Sequence, residues 1–176
     1  FEKNLEENLK QLQMELINKK YQPKALKLFI IHDPKTRKIC KSEFRDRIVH
    51  HALINLLEPI YERIFIYDSY ASRKNKGHHK ALERFNEFKR KVSKNGKKLK
   101  GVKDKNYVCG YCLKADIKRY IDTVDHETLV NIIGKIIKDK NVIGLIKQIL
   151  NNNLNKIKGK SMPLGNYTSQ FFANVY

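Results

Sequence analysis

The chain has 176 residues, 37 Lys and Arg against 18 Asp and Glu, a net charge of +19 at pH 7 and 41% hydrophobic residues. This apolar content excludes a disordered basic tail. The sequence contains no run of about eighteen apolar residues, so it predicts neither a membrane span nor a membrane partner. Because so much positive charge repels itself without an anion nearby, we expect a polyanionic partner, above all nucleic acid.

The first forty residues predict a helix and a hairpin. Leucines at helical spacing indicate an amphipathic helix over about residues 2–19: Leu5, Leu9, Leu12 and Leu16. Two β-prone runs, 27–32 and 37–41, flank a proline-containing turn. This pattern predicts a hairpin with Lys35 and Arg37 at or near its tip.

Two more helices are predicted before residue 95. Ser42 is expected to cap a helix that ends before Pro59, with one apolar face made by Phe44, Ile48, Ala52, Leu53 and Leu56. A further helix is predicted over about 77–94. Residues 89–105 then carry nine positive charges. They predict either an exposed loop that lies on the phosphates of a ligand or a solvated loop with no specific ligand.

The second half mixes a strand with helices. Alternation over residues 107–116 predicts a strand that ends in Asp116. Helices follow around 129–137 and 142–150, the second stopping at the asparagines 151–153, and a turn leads into an apolar helix after Met162. The predicted class is α+β, divided into residues 1–106 and 107–176.

Three aspartates in ten residues are the first candidates for chemistry. Asp116 closes an apolar strand and is expected to be partly shielded, which suits a metal-binding carboxylate. Asp122 and Asp125 precede a helix and are expected to cap it. A strand-end carboxylate is more often a structural acceptor, so the spacing alone indicates a metal only weakly. The histidine pair His50 and His51 is expected at the surface or in a cap.

Five blocks of the chain, in order, resemble successive blocks of bacterial reverse transcriptases. They are RIVHHALINLLEPI (47–60), DSYASR (68–73), KADIKRY (114–120), VDH (124–126) and MPLGNYTSQFFAN (162–174). The resemblance covers about residues 27–176. It implies a right-hand polymerase, of which this chain would hold the fingers and the N-terminal part of the palm, with a fingers β-hairpin and a palm strand.

The activity implied by the resemblance is template-directed synthesis of cDNA on RNA by two-metal nucleotidyl transfer. Asp116 would be the first catalytic carboxylate, and two Mg²⁺ ions would be held with help from the backbone carbonyl of Ile117. Lys35 and Arg37 would close on the triphosphate, although a solvated turn is their simpler interpretation.

The remaining implied contacts involve nucleotide and template. Nucleotide binding would fall to Arg119 and Tyr120 through their amides, to Ile121 as the sugar gate, and to Leu164 and Gly165. Template and primer contacts would fall to Arg73, Ser169 and Gln170. An aromatic packing cluster of Tyr67, Tyr70 and Arg73 is an equal alternative. Ile121 stands where the family usually has Phe, which implies looser sugar discrimination or a degenerate copy.

The block around Leu164 resembles diversity-generating retroelements most. An aliphatic residue before Gly165, with Ser169 and Gln170 closing the block, is the feature that they share. The resemblance implies error-prone cDNA synthesis that diversifies a gene. A group II intron reverse transcriptase or maturase, and a catalytically silent nucleic-acid-binding module, remain alternatives.

The expected partners are a template RNA, a cDNA or primer, deoxynucleoside triphosphates and a basic accessory protein of the retroelement. The expected compartment is a prokaryotic or phage-infected cytoplasm. The chain begins with Phe1, and its last residues are apolar, so we expect a piece of a longer protein. The Tyr-x-Asp-Asp box that supplies the remaining metal carboxylates in the family is not among these residues. We therefore expect no polymerisation by this chain alone.

Overall fold

The computed structural model describes residues 1–97, 110–153 and 158–176. They form two compact units, one of Phe1–Phe65 with Arg119–Tyr176 and one of Ile66–Lys118. The predicted domain boundary between residues 106 and 107, and residues 98–105 of the predicted basic loop, lie outside the described residues.

Helices dominate both units. The helices are α1 (Leu5–Ile17), α2 (Phe44–Tyr61), α3 (His78–Val92), α4 (Tyr120–Thr123), α5 (His126–Ile136), α6 (Lys140–Asn151) and α7 (Tyr167–Val175), and a 3₁₀ turn at Glu2–Asn4 precedes α1. The strands β1 (Lys27–Ile31) and β2 (Arg37–Lys41) form an antiparallel hairpin in which Lys27 pairs with Lys41 and Ile31 with Arg37. The predicted first helix and hairpin are confirmed.

Helix α2 differs from its prediction in its cap, its face and its end. The N-cap is Glu43, and Pro59 lies inside the helix, which continues to Tyr61. The predicted face was right at Leu53 but wrong at Leu56, which is 69% exposed. The buried stripe runs through Val49, His50, Leu53, Ile54 and Leu57. The aromatic contacts of Tyr61 with Phe65 and Phe171 stabilise the last turn, where Pro59 supplies no amide hydrogen.

The core of the first unit lies where α2, α5 and α7 pack together and α6 covers α5. Its fully buried side chains include Ile54, Leu129, Ile133, Ile146 and Phe172. A smaller cluster of Leu12, Tyr21 and Val49 holds α1 against α2. None of the helices in the described ranges is both long and apolar enough to cross a membrane.

Helices α5 and α6 begin at capping aspartates. The Asp125 carboxylate accepts a hydrogen bond from the Thr128 amide at 2.8 Å, which confirms the cap predicted for Asp125. Asp122 instead lies inside the short helix α4. Asp139 caps α6 through the Asn141 amide at 2.7 Å, and α6 ends at Asn151, as the run of asparagines predicted.

The second unit contains α3 as predicted, but no strand at 110–116. These residues lack regular structure, and Asp116 is exposed rather than partly shielded. A strand requires a hydrogen-bonded neighbour, and β1 and β2 pair only with each other among the described residues. Residues 107–109 of the predicted strand fall outside the described ranges.

Candidate functional site

The hairpin and the Leu164–Gly165 turn meet in the first unit. The Cys40 amide donates a hydrogen bond to the Leu164 carbonyl at 2.8 Å. Gly165 has a φ of +111°, and a Cβ on it would lie 2.5 Å from Ile39 Cγ2. Because such a contact is too close for any side chain, only glycine lets this backbone lie against β2.

Asn166 fixes this junction with a buried pair of hydrogen bonds. Its Oδ1 accepts from the Ser42 amide at 3.1 Å and from the Ser42 hydroxyl at 2.8 Å. Both residues are buried. The sequence had predicted that Ser42 caps α2. In the structure Ser42 instead stabilises the start of α7.

The predicted nucleotide and template residues of this block have distinct positions. Leu164 and Gln170 are exposed beside the junction, and Ser169 is buried with its hydroxyl donating to the Pro163 carbonyl at 2.7 Å. Ser169 thus has a structural role in this turn, and its template contact stays a prediction. Lys35 and Arg37 are exposed, and Arg37 begins the strand that carries Ile39 and Cys40.

Arg119, Tyr120 and Ile121 are joined to the same unit. The backbone of Arg119, just before α4, adopts the left-handed conformation with a φ of +56°. The Tyr120 hydroxyl donates to the Ala173 carbonyl at 2.9 Å. Ile121 packs partly against the core, and its carbonyl accepts from the Met162 amide at 3.0 Å. The predicted nucleotide residues from three separated segments therefore belong to one folded body.

His126 is the first residue of α5, and its ring ties the start of this helix to Ser161. Its ring is buried, and Nε2 lies 2.6 Å from the Ser161 carbonyl oxygen. Because a carbonyl only accepts, Nε2 carries the hydrogen. The His126 amide also donates to the Gly159 carbonyl, which aligns residues 124–126 beside 159–161.

The predicted metal residues Asp116 and Ile117 belong to the second unit, where both are exposed. The described part of the chain brings no three His, Cys, Asp or Glu side chains together as a metal site. The residues present therefore supply one carboxylate, and they do not by themselves fit a pair of divalent cations.

Arg73 lies in a polar and aromatic cluster of the second unit. Its Nη1 donates to the carbonyls of Ile66 and Ser69, each at 2.9 Å. In the same segment the Lys76 ammonium lies 3.9 Å from the centre of the Tyr67 ring, a cation–π contact. These contacts favour the packing alternative for this segment. The template contact of Arg73 stays a prediction.

A cavity of about 240 Å³ beside the junction was missed by the sequence interpretation. It is lined by Arg47, His50 and His51 of α2 and by Asn166, Tyr167 and Gln170 at the start of α7. His50 is 3% exposed, so its predicted surface position was wrong, and burial lowers the pKa of its imidazole to about 4. The resemblance block 47–60 contained three of these residues, but only the fold places them opposite residues 166–170.

Comparison with known proteins finds intron-encoded relatives. The chain is 31% identical over 121 residues to "Nuclear intron maturase 1, mitochondrial" of Arabidopsis thaliana, aligning 66% of this chain and 14% of that protein. It is 27% identical over 179 residues to "Group II intron-encoded protein LtrA" of Lactococcus lactis subsp. cremoris, aligning 97% of this chain and 27% of that protein. No protein-family model matches the chain.

A solved structure shares the fold. A chain of the "Partial Cas6-RT-Cas1--Cas2 complex" superposes with a TM-score of 0.58 at 19% identity, covering 97% of this chain and 28% of that one. The helix-rich fold with its small two-stranded sheet is consistent with the fingers and palm region of a polymerase, and the chain is a relative of reverse transcriptases. More particularly, its sequence relatives are intron maturases and group II intron-encoded proteins, and it spans 14% and 27% of the length of the two named above.

Proposed function

We propose that the whole protein is an RNA-directed DNA polymerase that copies a template RNA into cDNA from deoxynucleoside triphosphates. The observation that carries the proposal is the junction of the hairpin with Leu164 and Gly165, within a chain related to reverse transcriptases. In this junction a basic turn and a bare stretch of backbone belong to the same folded unit.

The chemistry of the junction suits a nucleoside triphosphate. Lys35 and Arg37 put two exposed cations on the hairpin, and cations of this kind attract polyphosphate. Gly165 packs against Ile39 on one side, but the residue is exposed and has no side chain of its own, so a nucleotide can approach its free side closely. Ile121 presents a smaller side chain than Phe, and in our proposal this loosens the exclusion of a ribose 2′-hydroxyl.

The proposed cofactor is a pair of Mg²⁺ ions, which would supply charge stabilisation to the transferring phosphate. Asp116 and the Ile117 carbonyl are the residues of this chain proposed to contribute ligands. Asp116 is the one carboxylate that this proposal assigns to the ions.

The proposed subtype is an error-prone enzyme of a diversity-generating retroelement, working with a basic accessory protein. Its support is Leu164, whose apolar side chain offers a packing surface where Gln would offer hydrogen bonds. The second candidate is a group II intron reverse transcriptase or maturase, and the sequence relatives favour it. Replacing Leu164 by Gln in the whole protein separates the two: a lowered misincorporation rate supports the first, and an unchanged error spectrum contradicts it.

Primer extension on an RNA template tests the polymerase activity itself. In the whole protein, Asp116→Asn should reduce extension at least about a thousandfold, because a metal-binding carboxylate is lost. Asp122→Asn is the matched control, since Asp122 is an exposed carboxylate six residues away in the chain. Full activity of Asp116→Asn would contradict the assignment. RNA binding without any extension by the unaltered protein would favour a catalytically silent binding module.

A further inference from the structure

The cavity between α2 and the start of α7 contains unmet hydrogen-bonding capacity. Three buried polar atoms of its lining residues have no hydrogen-bond partner among the described residues: Arg47 Nε, His50 Nδ1 and Asn166 Nδ2. Leaving such an atom unpaired costs free energy, so a group that enters this cavity and supplies the missing partners would be bound favourably.

The unmet groups of Arg47 and Asn166 are donors. Asn166 Oδ1 already accepts two hydrogen bonds from Ser42, which occupy both lone pairs of the carbonyl and leave the amide nitrogen to donate. A guanidinium has donors and no acceptor. The ligand must therefore present hydrogen-bond acceptors to Arg47 and Asn166. A ligand that places an amino donor opposite these two residues fits poorly.

The aromatic lining and the volume of the cavity favour a planar ring over a phosphate group. His51 and Tyr167 stack with ring centroids 4.6 Å apart and planes 17° apart, and both line the cavity. The volume of about 240 Å³ equals that of about eight water molecules at about 30 Å³ each, which exceeds the need of one phosphate. Two aromatic rings in the lining and this volume suit an unstacked nucleobase.

Neutral His50 strengthens this preference. Burial lowers the pKa of its imidazole to about 4; the nearby Asp46 carboxylate raises that pKa and His51 lowers it further. His50 is therefore uncharged at neutral pH, and Arg47 is the one Arg or Lys among the residues that line the cavity. A single guanidinium beside an amide and an imidazole is a set of groups that reads base edges.

We propose that this cavity holds one unpaired guanine of an RNA strand, with its O6 and N7 acceptors facing Arg47 and Asn166. Guanine presents two adjacent acceptors on this edge, whereas adenine presents N7 beside an amino donor. The inference deepens the proposed function, and rests on it only in taking RNA as the polymer. It makes Arg47 a specificity-determining residue remote in sequence from Asp116.

Binding of short RNA to the whole protein tests the proposal without any polymerisation. The probe is a labelled decamer of uridines with one central guanosine, compared by fluorescence anisotropy with decamers carrying 7-deazaguanosine, adenosine or an abasic site. The 7-deaza base lacks only the N7 acceptor. We expect the guanosine decamer to bind about five- to tenfold more tightly than the other three.

Arg47→Lys keeps the charge and removes the planar donor fork, so it should abolish the preference for guanosine. Arg63→Lys is the matched control, because Arg63 is exposed just beyond the end of α2, and it should keep the preference. Equal binding of guanosine and 7-deazaguanosine by the unaltered protein overturns the proposal without requiring any variant to fold. A base-independent loss of affinity in Arg47→Lys also overturns it, because that result indicates a phosphate contact. Primer extension is measured separately, so a failed guanine preference is distinct from a failed polymerase assignment.

Discussion

Gly165→Ala is expected to destabilise the first unit through two separable effects. At a φ of +111° an alanine adopts a backbone conformation that costs about 1 to 3 kcal/mol. The added methyl group would also lie 2.5 Å from Ile39 Cγ2, and relieving this overlap requires β2 to move, at a further cost of about 1 to 3 kcal/mol. The expected loss in the free energy of unfolding is therefore about 2 to 6 kcal/mol.

A double-mutant cycle with Ile39→Ala separates the two effects, since this change removes Cγ2 and leaves the backbone of residue 165 unchanged. Urea unfolding followed by circular dichroism measures all four proteins. In the Ile39→Ala background, Gly165→Ala should cost only the conformational part, about 1 to 3 kcal/mol. Ile39→Val is the matched control, because it retains Cγ2 and should leave the full cost in place. The same cost in all three backgrounds would refute the close packing of Gly165 on β2.

Three further changes test other parts of the first unit. Asn166→Ala leaves the buried amide and hydroxyl of Ser42 without an acceptor and should cost about 2 to 4 kcal/mol in urea unfolding, whereas Asn55→Ala on the exposed side of α2 should cost little. Because burial lowers the pKa of His50 to about 4 from its usual 6.5, the unfolded chain binds this proton more readily, and stability should fall as the pH drops from 6.5 to 4, by about 3 kcal/mol. His50→Gln should flatten that part of the pH profile, and an unaltered profile would contradict the burial of a neutral imidazole. Ile121→Phe should raise the ratio of kcat/KM for deoxyribonucleotides over ribonucleotides in the whole protein, and an unchanged ratio would remove Ile121 as the gate.

Local signals predicted most of the secondary structure. Helical spacing of leucines predicted α1, and a proline turn between β-prone runs predicted the hairpin with its strand bounds nearly right. These signals succeed because they depend on neighbours a few residues apart. Asp125 was predicted as a cap for the same reason, since its partner Thr128 is three residues away.

The errors came where distant residues decide the outcome. Ser42 has the sequence position of a cap, yet its partner is Asn166, 124 residues along the chain. His50 lies in a polar pair, but helical phase and the packing of α7 on α2 bury it. Residues 110–116 alternate like a strand, and alternation cannot report whether a neighbouring strand is present to pair with it.

The candidate site was likewise predictable from the sequence only in part. The resemblance named Leu164, Gly165 and Ile121, and the fold places these residues in one unit with the hairpin. The cavity lined by Arg47, His50 and Asn166 joins two blocks that carry no mutual signal in one sequence. Its donors become visible only when the hydrogen bonds of each buried polar atom are counted.

The bond between Ser42 and Asn166 has a consequence for the order of events on the ribosome. At about 5 to 20 residues per second, a span of 124 residues emerges in about 6 to 25 seconds. During that interval the hairpin has been synthesised, while the Leu164 carbonyl that pairs with Cys40 has not yet appeared. Apolar residues of α2 that pack against α7 in the folded unit, such as Ile54 and Leu57, lack this cover in the meantime. Nascent chains of this protein should therefore depend on a holding chaperone until the residues of α7 have left the exit tunnel.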